Sequence, residues 1–277
     1  MQKRLLTVQD ISCIGQCSLT VAMPIISAYG VETCILPSAV LSTHTGGFKG
    51  KFTFRDLTDD FPGIIKHWSE NGIRFDALYT GYIGNAKQFE YIGEIKKSLM
   101  AEDAPVIIDP AMADNGKLYY GFDTGFAAKM AEFSAGADYC LPNITEASFM
   151  LGIEYKTEYD CEYILRICRG LRDIGIKNVL LTGVSFEPAK LGIAFYQSET
   201  DTVQYHFEDK IPVAMHGTGD VFASVFSGAL LGGVAPFDAG IEAARFVVRS
   251  IMNTMDQPEH FYGVNFEGVI AKDRNRN

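Results

Sequence analysis

The feature that most constrains the fold of this chain is a regular alternation of short apolar runs with longer amphipathic segments. The segments have helical length, as in Leu57–Asn71, Lys87–Met100 and Asp160–Ile174. Alternation of this kind predicts a mainly parallel sheet with helices on both faces. The apolar runs that we predict as buried strands are Leu5–Val8, Glu32–Leu36, Phe75–Tyr79, Val106–Asp109, Ala137–Leu141 and Val179–Thr182.

The last part of the chain adds a hairpin and two helices to this pattern. Leu191–Gln197 and Thr202–Glu208 alternate in polarity, which predicts an antiparallel hairpin near one edge of the sheet. Helices are expected over about Gly219–Leu231 and Pro236–Met255. No repeat, low-complexity linker or break in composition interrupts the 277 residues, so we expect a single domain over residues 1–277.

Composition and charge exclude several classes of protein. Hydrophobic residues make up 47% of the chain and charged residues 21%, which argues against disorder. The net charge of −10 argues against a nucleic-acid surface, because phosphate backbones need clustered Lys and Arg. A nucleotide is still permitted, since backbone N–H groups and a metal ion can hold one. No run reaches about 18 uninterrupted apolar residues, and no long apolar region of the signal-peptide kind follows the basic Lys3-Arg4, so we expect a cytoplasmic protein.

Polar and small residues directly follow the predicted strands. In open parallel sheets, ligands bind at the carboxyl ends of the strands, so these positions predict a ligand site. The residues concerned are Gln9–Asp10, Ser42–Gly47, Gly81–Tyr82, Asp109–Pro110, Pro142–Asn143 and Thr182–Gly183.

The sharpest local motif is His216–Asp220, which is followed at once by the apolar helix start Val221–Phe226. Its glycines permit a tight turn that aims several N–H groups at one point, and the helix adds the positive end of its dipole. This pattern predicts an anion hole suited to a transferring phosphoryl group. Asp220 at the same place predicts a base for a substrate hydroxyl, although it is also a common helix cap.

Two better-known phosphate motifs do not fit. A P-loop would need Gly where Thr45 stands and Ser or Thr where Phe52 follows Gly50-Lys51. A dinucleotide fingerprint starting at Gly217 meets Phe222 where its third Gly belongs. The chain is therefore predicted to bind phosphate through its own Gly-Thr-Gly-Asp turn.

With that turn, the chain resembles the pyridoxal, pyridoxine and pyridoxamine kinases of the ribokinase-like superfamily. The resemblance extends from Val8-Gln9 to about Met255 and depends on the order and spacing of several pieces. It implies a three-layer αβα ribokinase-like fold with a central, mainly parallel sheet and an antiparallel edge hairpin. The matching pieces are Gly217–Asp220, Ser42–Thr45, Thr80–Gly84, Asp109–Asp114, Pro142–Glu146 and Leu181-Thr182.

The resemblance implies catalysis by the Gly-Thr-Gly-Asp turn. Asp220 would be the base that activates the 5′-hydroxyl of a B6 vitamer, and Gly217, Thr218 and Gly219 would form the anion hole. ATP would be the phosphoryl donor.

On the nucleotide side, the resemblance assigns Asn143, Thr182 and Asp114 to ATP binding, and Glu146 and Asp109 to Mg²⁺. Mg²⁺ prefers oxygen ligands and keeps several waters, so few carboxylates suffice. Alternatives stay open: Asn143 and Glu146 also form a good helix start, and a Thr at a strand end is ordinary.

For the vitamer ring, the resemblance suggests Asp10, His44, Thr45 and Tyr82. Tyr82 would stack on the pyridine face, while His44 and Thr45 would bond ring substituents. Tyr82 as a half-buried core aromatic and His44 as a structural residue are the alternatives. Asp10 departs from the Ser of the best-known pyridoxal kinases. Because a carboxylate favours a protonated ring or an amine, we expect an altered preference, towards pyridoxamine.

Two other functions compete with the B6 kinase. A hydroxymethylpyrimidine kinase shares the His216–Gly219 sequence, but that group typically has Cys where this chain has Asp220. A protein that binds pyridoxal phosphate without making it would not need a base at Asp220. The resemblance also implies a homodimer, and a monovalent cation is a further possible requirement of such a kinase.

Overall fold

A computed structural model describes residues 2–274 of the chain. The chain divides into two compact units. The first unit comprises the residues up to Ala104 and those from Ile211 onward, and the second is Pro105–Lys210. The prediction of a single domain therefore stays a prediction.

The first unit is built on parallel strands. Strand β1 (Arg4–Ser12) pairs in parallel with β2 (Glu32–Leu41) on one side and with β4 (Ala77–Thr80) on the other. Strand β3 (Phe54–Asp56) pairs antiparallel with β2. The helices of this unit are α1 (Leu19–Ala28), α2 (Phe61–Glu70), α3 (Lys87–Ser98), α7 (Thr218–Leu231), α8 (Pro236–Thr254) and α9 (Glu267–Arg274).

The second unit combines parallel strands with the predicted hairpin. Strands β5 (Val106–Ile108), β8 (Tyr139–Cys140) and β9 (Asn178–Val184) are parallel. The remaining strands are β6 (Ala113–Asp114) and β7 (Lys117–Leu118), which form a small hairpin, and β10 (Lys190–Gln197) and β11 (Thr202–Asp209), which continue antiparallel from β9. The helices are α4 (Thr124–Ser134), α5 (Ile144–Leu151) and α6 (Cys161–Asp173).

The predicted α/β class, with mainly parallel strands and an antiparallel hairpin, is confirmed. The hairpin of β10 and β11 starts and ends within one residue of its predicted bounds. The bounds of α1, α4 and α9 were not predicted from the sequence, whereas the start of α5 after Asn143 agrees with the helix start that was given as the alternative for Asn143 and Glu146. Within residues 2–274, no helix is long and apolar enough to cross a membrane.

Strand β1 extends beyond its predicted end and carries Asp10 inside the sheet. The β1–β2 register shifts between Gln9, opposite Pro37, and Ile11, opposite Val40, so β2 has one extra residue there. Pro37 lacks the N–H that a regular ladder needs, which suits a bulge. The bulge interrupts the register at Asp10, whose side chain is 4% exposed.

Candidate active site

The Gly-Thr-Gly-Asp turn leads directly into α7. Gly217 has φ of 80°, and a Cβ there would lie 1.8 Å from the carbonyl oxygen of Gln16. Only glycine fits this backbone position. The first intrahelical bond runs from the N–H of Val221 to the carbonyl of Gly217. The N–H groups of Thr218, Gly219 and Asp220 precede it, at the positive end of the helix. The turn therefore has the donors that the predicted anion hole requires.

Asp220 lies in the first turn of α7 and carries an unusual proton affinity. Burial, and next the negative charge of Asp10, raise the pKa of Asp220 to about 7. The backbone N–H of Ser18 and the thiol of Cys17 donate to its carboxylate and oppose this rise. A carboxylate with a pKa near neutrality is well matched to accepting a proton at physiological pH. The role of Asp220 as a general base stays a prediction.

Asp10 is the second carboxylate of this region. Its side chain accepts a hydrogen bond of 3.0 Å from the Ser12 hydroxyl. Burial raises the pKa of Asp10, and hydrogen bonds from the hydroxyls of Ser18 and Ser12 oppose that rise. Asp10 is thus brought into the electrostatic environment of Asp220, as the sequence-based assignment to one site requires.

His44 is buried, and both of its ring nitrogens have backbone partners. The N–H of Gly46 donates to Nδ1 at 3.2 Å, so Nε2 carries the proton and donates to the carbonyl of Tyr262 at 2.8 Å. Burial lowers the pKa of His44, which favours this neutral form. His44 therefore holds two loops together, and its predicted bond to the vitamer ring stays a prediction.

Thr45 lies on the loop that follows β2. This loop surrounds a cleft of about 180 Å³. Thr45 is exposed there, and its predicted bond to a ring substituent stays a prediction. The residues that line the cleft are Ser42, Thr43, His44, Thr45, Phe48 and Lys49–Phe52.

Tyr82 follows β4 and is half-buried. Its ring packs over Gly84, where a Cβ would lie 3.2 Å from the ring, and its carbonyl accepts from the Ser38 hydroxyl at 3.2 Å. Burial, and next the charges of Asp10 and Asp56, raise the pKa of the phenol to about 12. Because the charge of Asp10 contributes to the raised pKa of Tyr82, the two side chains lie near each other, which agrees with the predicted ring site.

In the second unit, Asn143 and Glu146 form a complete capping box at the start of α5. The side chain of Asn143 accepts from the Glu146 N–H at 2.9 Å, and the Asn143 N–H donates to Glu146 Oε2 at 2.8 Å. The Asn143 amide also donates to the Ala113 carbonyl at 2.8 Å, and the Met112 N–H donates to Glu146 Oε1 at 3.2 Å. The alternative reading, a helix start formed by Asn143 and Glu146, is therefore present. Its hydrogen bonds fix both side chains that were predicted to bind ligands.

Asp109 and Glu146 provide a test of whether this unit suits Mg²⁺. Their exposures are 8% and 3%, and burial, followed by the charge of Asp109, raises the pKa of Glu146 well above its usual value. Two buried carboxylates that repel each other are stabilised by a divalent cation. Within residues 2–274, no group of three or more His, Cys, Asp or Glu side chains could hold a metal. Carboxylate oxygens are the ligand type that Mg²⁺ prefers, and few protein ligands are typical of this ion, so the donor set is compatible with Mg²⁺, whose binding stays a prediction.

Asp114 and Thr182 are the other two residues predicted on the nucleotide side. Asp114 is exposed at the β6–β7 turn, where its carboxylate accepts from the backbone and side chain of Asn115. Thr182 lies within β9, bridged to Asn143, and its N–H donates to the Pro142 carbonyl at 2.9 Å. The structure thus brings Thr182 next to Asn143, whereas Asp114 occupies the hairpin turn.

Cys17 and Ser18 are site residues that the sequence reasoning missed. Both contact Asp220, although they lie some two hundred positions away in the chain. The only signal in the sequence was their place in a short segment between the first predicted strand and the next apolar stretch. That segment has no motif, so only the packing of α1 against α7 reveals their part in the site.

Comparison with known proteins relates this geometry to a family. Residues 27–265 match the sequence model of the phosphomethylpyrimidine kinase family. A crystal structure of a candidate phosphomethylpyrimidine kinase from Bacteroides thetaiotaomicron, in a form with pyridoxal, is 34% identical to this chain. Its TM-score is 0.92, covering 98% of this chain and 96% of that chain.

Two pyridoxal kinases are also similar to this chain. The structure of the enzyme from Lactobacillus plantarum has a TM-score of 0.89 and 27% identity, covering 98% of this chain and 96% of that chain. The pyridoxal kinase of Dictyostelium discoideum is 27% identical over 243 residues, which cover 82% of this chain and 78% of that protein. The predicted relationship to B6 kinases of the ribokinase-like superfamily is confirmed, and the chain belongs to the phosphomethylpyrimidine kinase family.

Proposed function

We propose that this protein is an ATP-dependent kinase that phosphorylates the 5′-hydroxymethyl group of a B6 vitamer. The observation that carries the proposal is Asp220, a carboxylate with a pKa raised to about 7, in the first turn of a helix whose N–H groups we propose as the anion hole. The similarity to a protein solved with pyridoxal, and to enzymes named pyridoxal kinases, supports the substrate class.

The proposed reaction is an in-line phosphoryl transfer. The substrate hydroxyl oxygen forms a bond to the γ-phosphorus of ATP as the bond from that phosphorus to the β,γ-bridging oxygen breaks. The hydroxyl proton passes to the Asp220 carboxylate, and ADP leaves with the electron pair of the broken bond. The N–H groups of Thr218 and Gly219 stabilise the charge on the equatorial phosphoryl oxygens. Positioning and electrostatics therefore account for most of the catalysis.

The second unit supplies the residues that we assign to the nucleotide and its metal. Asn143 and Thr182 are proposed to contact ATP, together with Asp114, while Glu146 and Asp109 are proposed to hold Mg²⁺. When bound, the metal would neutralise negative charge on the phosphate oxygens. The protein groups contribute fixed orientation, because the capping box of Asn143 and Glu146 leaves neither side chain free to rotate.

In the first unit, Asp10, Thr45 and Tyr82 are proposed to contact the vitamer ring, with His44 holding the loop on which Thr45 lies. We also propose that the protein acts in the cytoplasm as a homodimer. The homodimer rests on the family resemblance, whereas the cytoplasmic location rests on the sequence pattern described above. The use of a monovalent cation is a further requirement to be tested.

A hydroxymethylpyrimidine kinase is the second candidate, and one observation favours it: the matching family is named for phosphomethylpyrimidine. Against it stands Asp220 in place of the Cys typical of that group. A pyridoxal phosphate-binding protein without activity is less well supported, because binding alone does not need a base with a pKa near 7.

One assay separates these functions. ADP release from Mg·ATP is measured with pyridoxal, pyridoxine, pyridoxamine and hydroxymethylpyrimidine in turn, with the Asp220→Ala protein as control. We expect release with the vitamers that is lost in the variant. Activity with the pyrimidine alone would establish the second candidate. Vitamer binding without turnover would establish the binding protein.

A further inference from the structure

Strand β9 carries one residue more than its neighbour β10 near its carboxyl end. Thr182 lies opposite Ile193 and Val184 lies opposite Gly192, so Gly183 is an extra residue of β9 at this point. Gly183 has φ of 73°, which is the conformation of a bulge that begins with a glycine. Such bulges change the direction of neighbouring side chains, and they are frequent next to active sites. The bulge follows directly after Thr182, which is proposed to contact ATP.

The phenol of Tyr159 bridges this bulge. Its O–H donates to the Gly183 carbonyl at 3.3 Å, and its oxygen accepts from the Ser185 N–H at 3.0 Å. Burial raises the pKa of Tyr159, so the phenol stays protonated at neutral pH and keeps its donor. A single side chain from the segment between α5 and α6 is therefore bonded to the backbone on either side of Val184.

The ring of Tyr159 is held in place by aromatic contacts. It stacks on Tyr163 of α6 with ring centroids 5.6 Å apart, and it makes a T-shaped contact with Phe186 at 6.2 Å. Phe186 lies in the loop after β9, and its ring contacts those of Tyr205 and Phe207 on β11 at 5.4 and 5.6 Å. The phenol that bridges the bulge is thus supported by both α6 and the hairpin.

Thr182 is fixed on its other side by the turn after β8. Its N–H donates to the Pro142 carbonyl at 2.9 Å, and it forms a bridge with Asn143. Towards β10, the register changes directly after Thr182. The two hydrogen bonds of Tyr159 hold the backbone at that place, where the ladder is interrupted.

We propose that Tyr159 is a positioning residue for the nucleotide: its phenol fixes the bulge at Gly183 and so orients the carboxyl end of β9, where Thr182 contacts ATP. The inference rests on the proposed function, in which the second unit holds the nucleotide. Tyr159 acts through the backbone of β9 and not by contact with a substrate. A looser bulge would let Thr182 adopt several orientations, and binding of Mg·ATP would then have to fix one of them. The loss would therefore fall on nucleotide binding and not on the vitamer.

The test compares the removal of one hydroxyl from each of two stacked tyrosines. Tyr159→Phe keeps the ring but loses the bridge, so the KM for Mg·ATP should rise about three- to tenfold, as expected for hydrogen bonds of ordinary strength. Both kcat and the KM for the vitamer should stay near their wild-type values. Tyr163→Phe is the matched control, because its hydroxyl donates to the Glu154 carbonyl at 2.9 Å, outside β9. We expect this control to keep the wild-type KM for Mg·ATP, even where thermal unfolding shows a similar loss of stability.

A second variant changes the bulge without touching Tyr159. A Cβ on Gly183 would meet no atom of the described residues within 4 Å, its chain neighbours apart, but φ of 73° is unfavourable for alanine. Gly183→Ala should therefore alter the bulge and also raise the KM for Mg·ATP. In the double variant with Tyr159→Phe, the rise should be smaller than the product of the two single effects, because both changes act on one bulge.

An unchanged KM for Mg·ATP in Tyr159→Phe, or an equal rise in Tyr159→Phe and Tyr163→Phe, would overturn the proposal. The dissociation constant for Mg·ADP, measured by calorimetry, gives the same comparison without turnover. A wild type that binds Mg·ADP but phosphorylates no vitamer would overturn the proposed vitamer kinase. Weaker binding of Mg·ADP by Tyr159→Phe, and not by Tyr163→Phe, would in that case still support the positioning role. A wild type that does not bind Mg·ADP would overturn both.

Discussion

Gly217 and Gln16 approach so closely that a methyl group on Gly217 would lie 1.8 Å from the Gln16 carbonyl oxygen. This contact sets the loop that carries Cys17 and Ser18 against the first turn of α7. The proposed anion hole and the surroundings of Asp220 therefore depend on the same backbone contact between Gly217 and Gln16.

A Gly217→Ala variant should lose both stability and activity. The added methyl collides with backbone, and φ of 80° is unfavourable for alanine, so a loss of about 2–3 kcal/mol in unfolding free energy is expected. Gly219→Ala is the matched control, because a Cβ there would meet no atom within 4 Å apart from its chain neighbours and the backbone of its own helix. Urea unfolding and turnover of both proteins check the prediction. Equal stability of the two variants would contradict it.

Loss of the base should affect turnover more than folding. Asp220→Ala and Asp220→Asn are expected to lower kcat by roughly 10²-fold or more, the usual range for a general base, while circular dichroism stays native. Turnover near the wild-type rate in both variants would remove Asp220 from this role.

The raised pKa of Asp220 also predicts how stability depends on pH. In the unfolded chain the carboxyl has a pKa near 3.8, whereas in the folded protein it is about 7. Folding therefore favours the protonated form, and stability from this group is lost as pH rises from about 4 to 7. Asp220→Asn should be more stable than the wild type at pH 8, by about 2 kcal/mol after allowing for partial exposure, and equal to it at pH 4. A stability difference that is constant between these pH values would contradict the assignment.

Asp10 is expected to set the preference among vitamers. A carboxylate favours a cationic partner, so Asp10→Ser should shift the ratio of kcat/KM values from pyridoxamine towards pyridoxal and pyridoxine. The measurement is kcat/KM for all three vitamers in both proteins. If their ranking and ratios stay the same, Asp10 does not determine the preference.

The capping box of α5 allows a structural effect to be separated from a functional one. Asn143→Ala and Asp123→Ala each remove an N-cap side chain, at α5 and α4, and each should cost about 1 kcal/mol of stability. Only Asn143→Ala is expected to raise the KM for Mg·ATP, because Asp123 has no proposed ligand. Thermal unfolding and ATP titrations check both parts. A KM that rises equally in the two variants would indicate a purely structural role for Asn143.

The sequence by itself determined the α/β class, the hairpin of β10 and β11 and the start of α7 at the Gly-Thr-Gly-Asp turn. These features depend on local periodicity and on the ability of Gly217 to adopt a positive φ, which are properties of the local sequence. Asp109, Asn143 and Asp220 were proposed as site residues in the same way, as polar residues next to apolar strands or at a helix start.

Only the tertiary structure decided which groups act on one another. The register shift at Asp10 and the approach of Gln16 to Gly217 join segments that are far apart in the chain. A pKa depends on burial and on charges close in space, and no spacing in the sequence encodes those distances. The position of Asp220 was therefore readable from its motif, whereas its raised proton affinity required the packing of α1 and β1 around it.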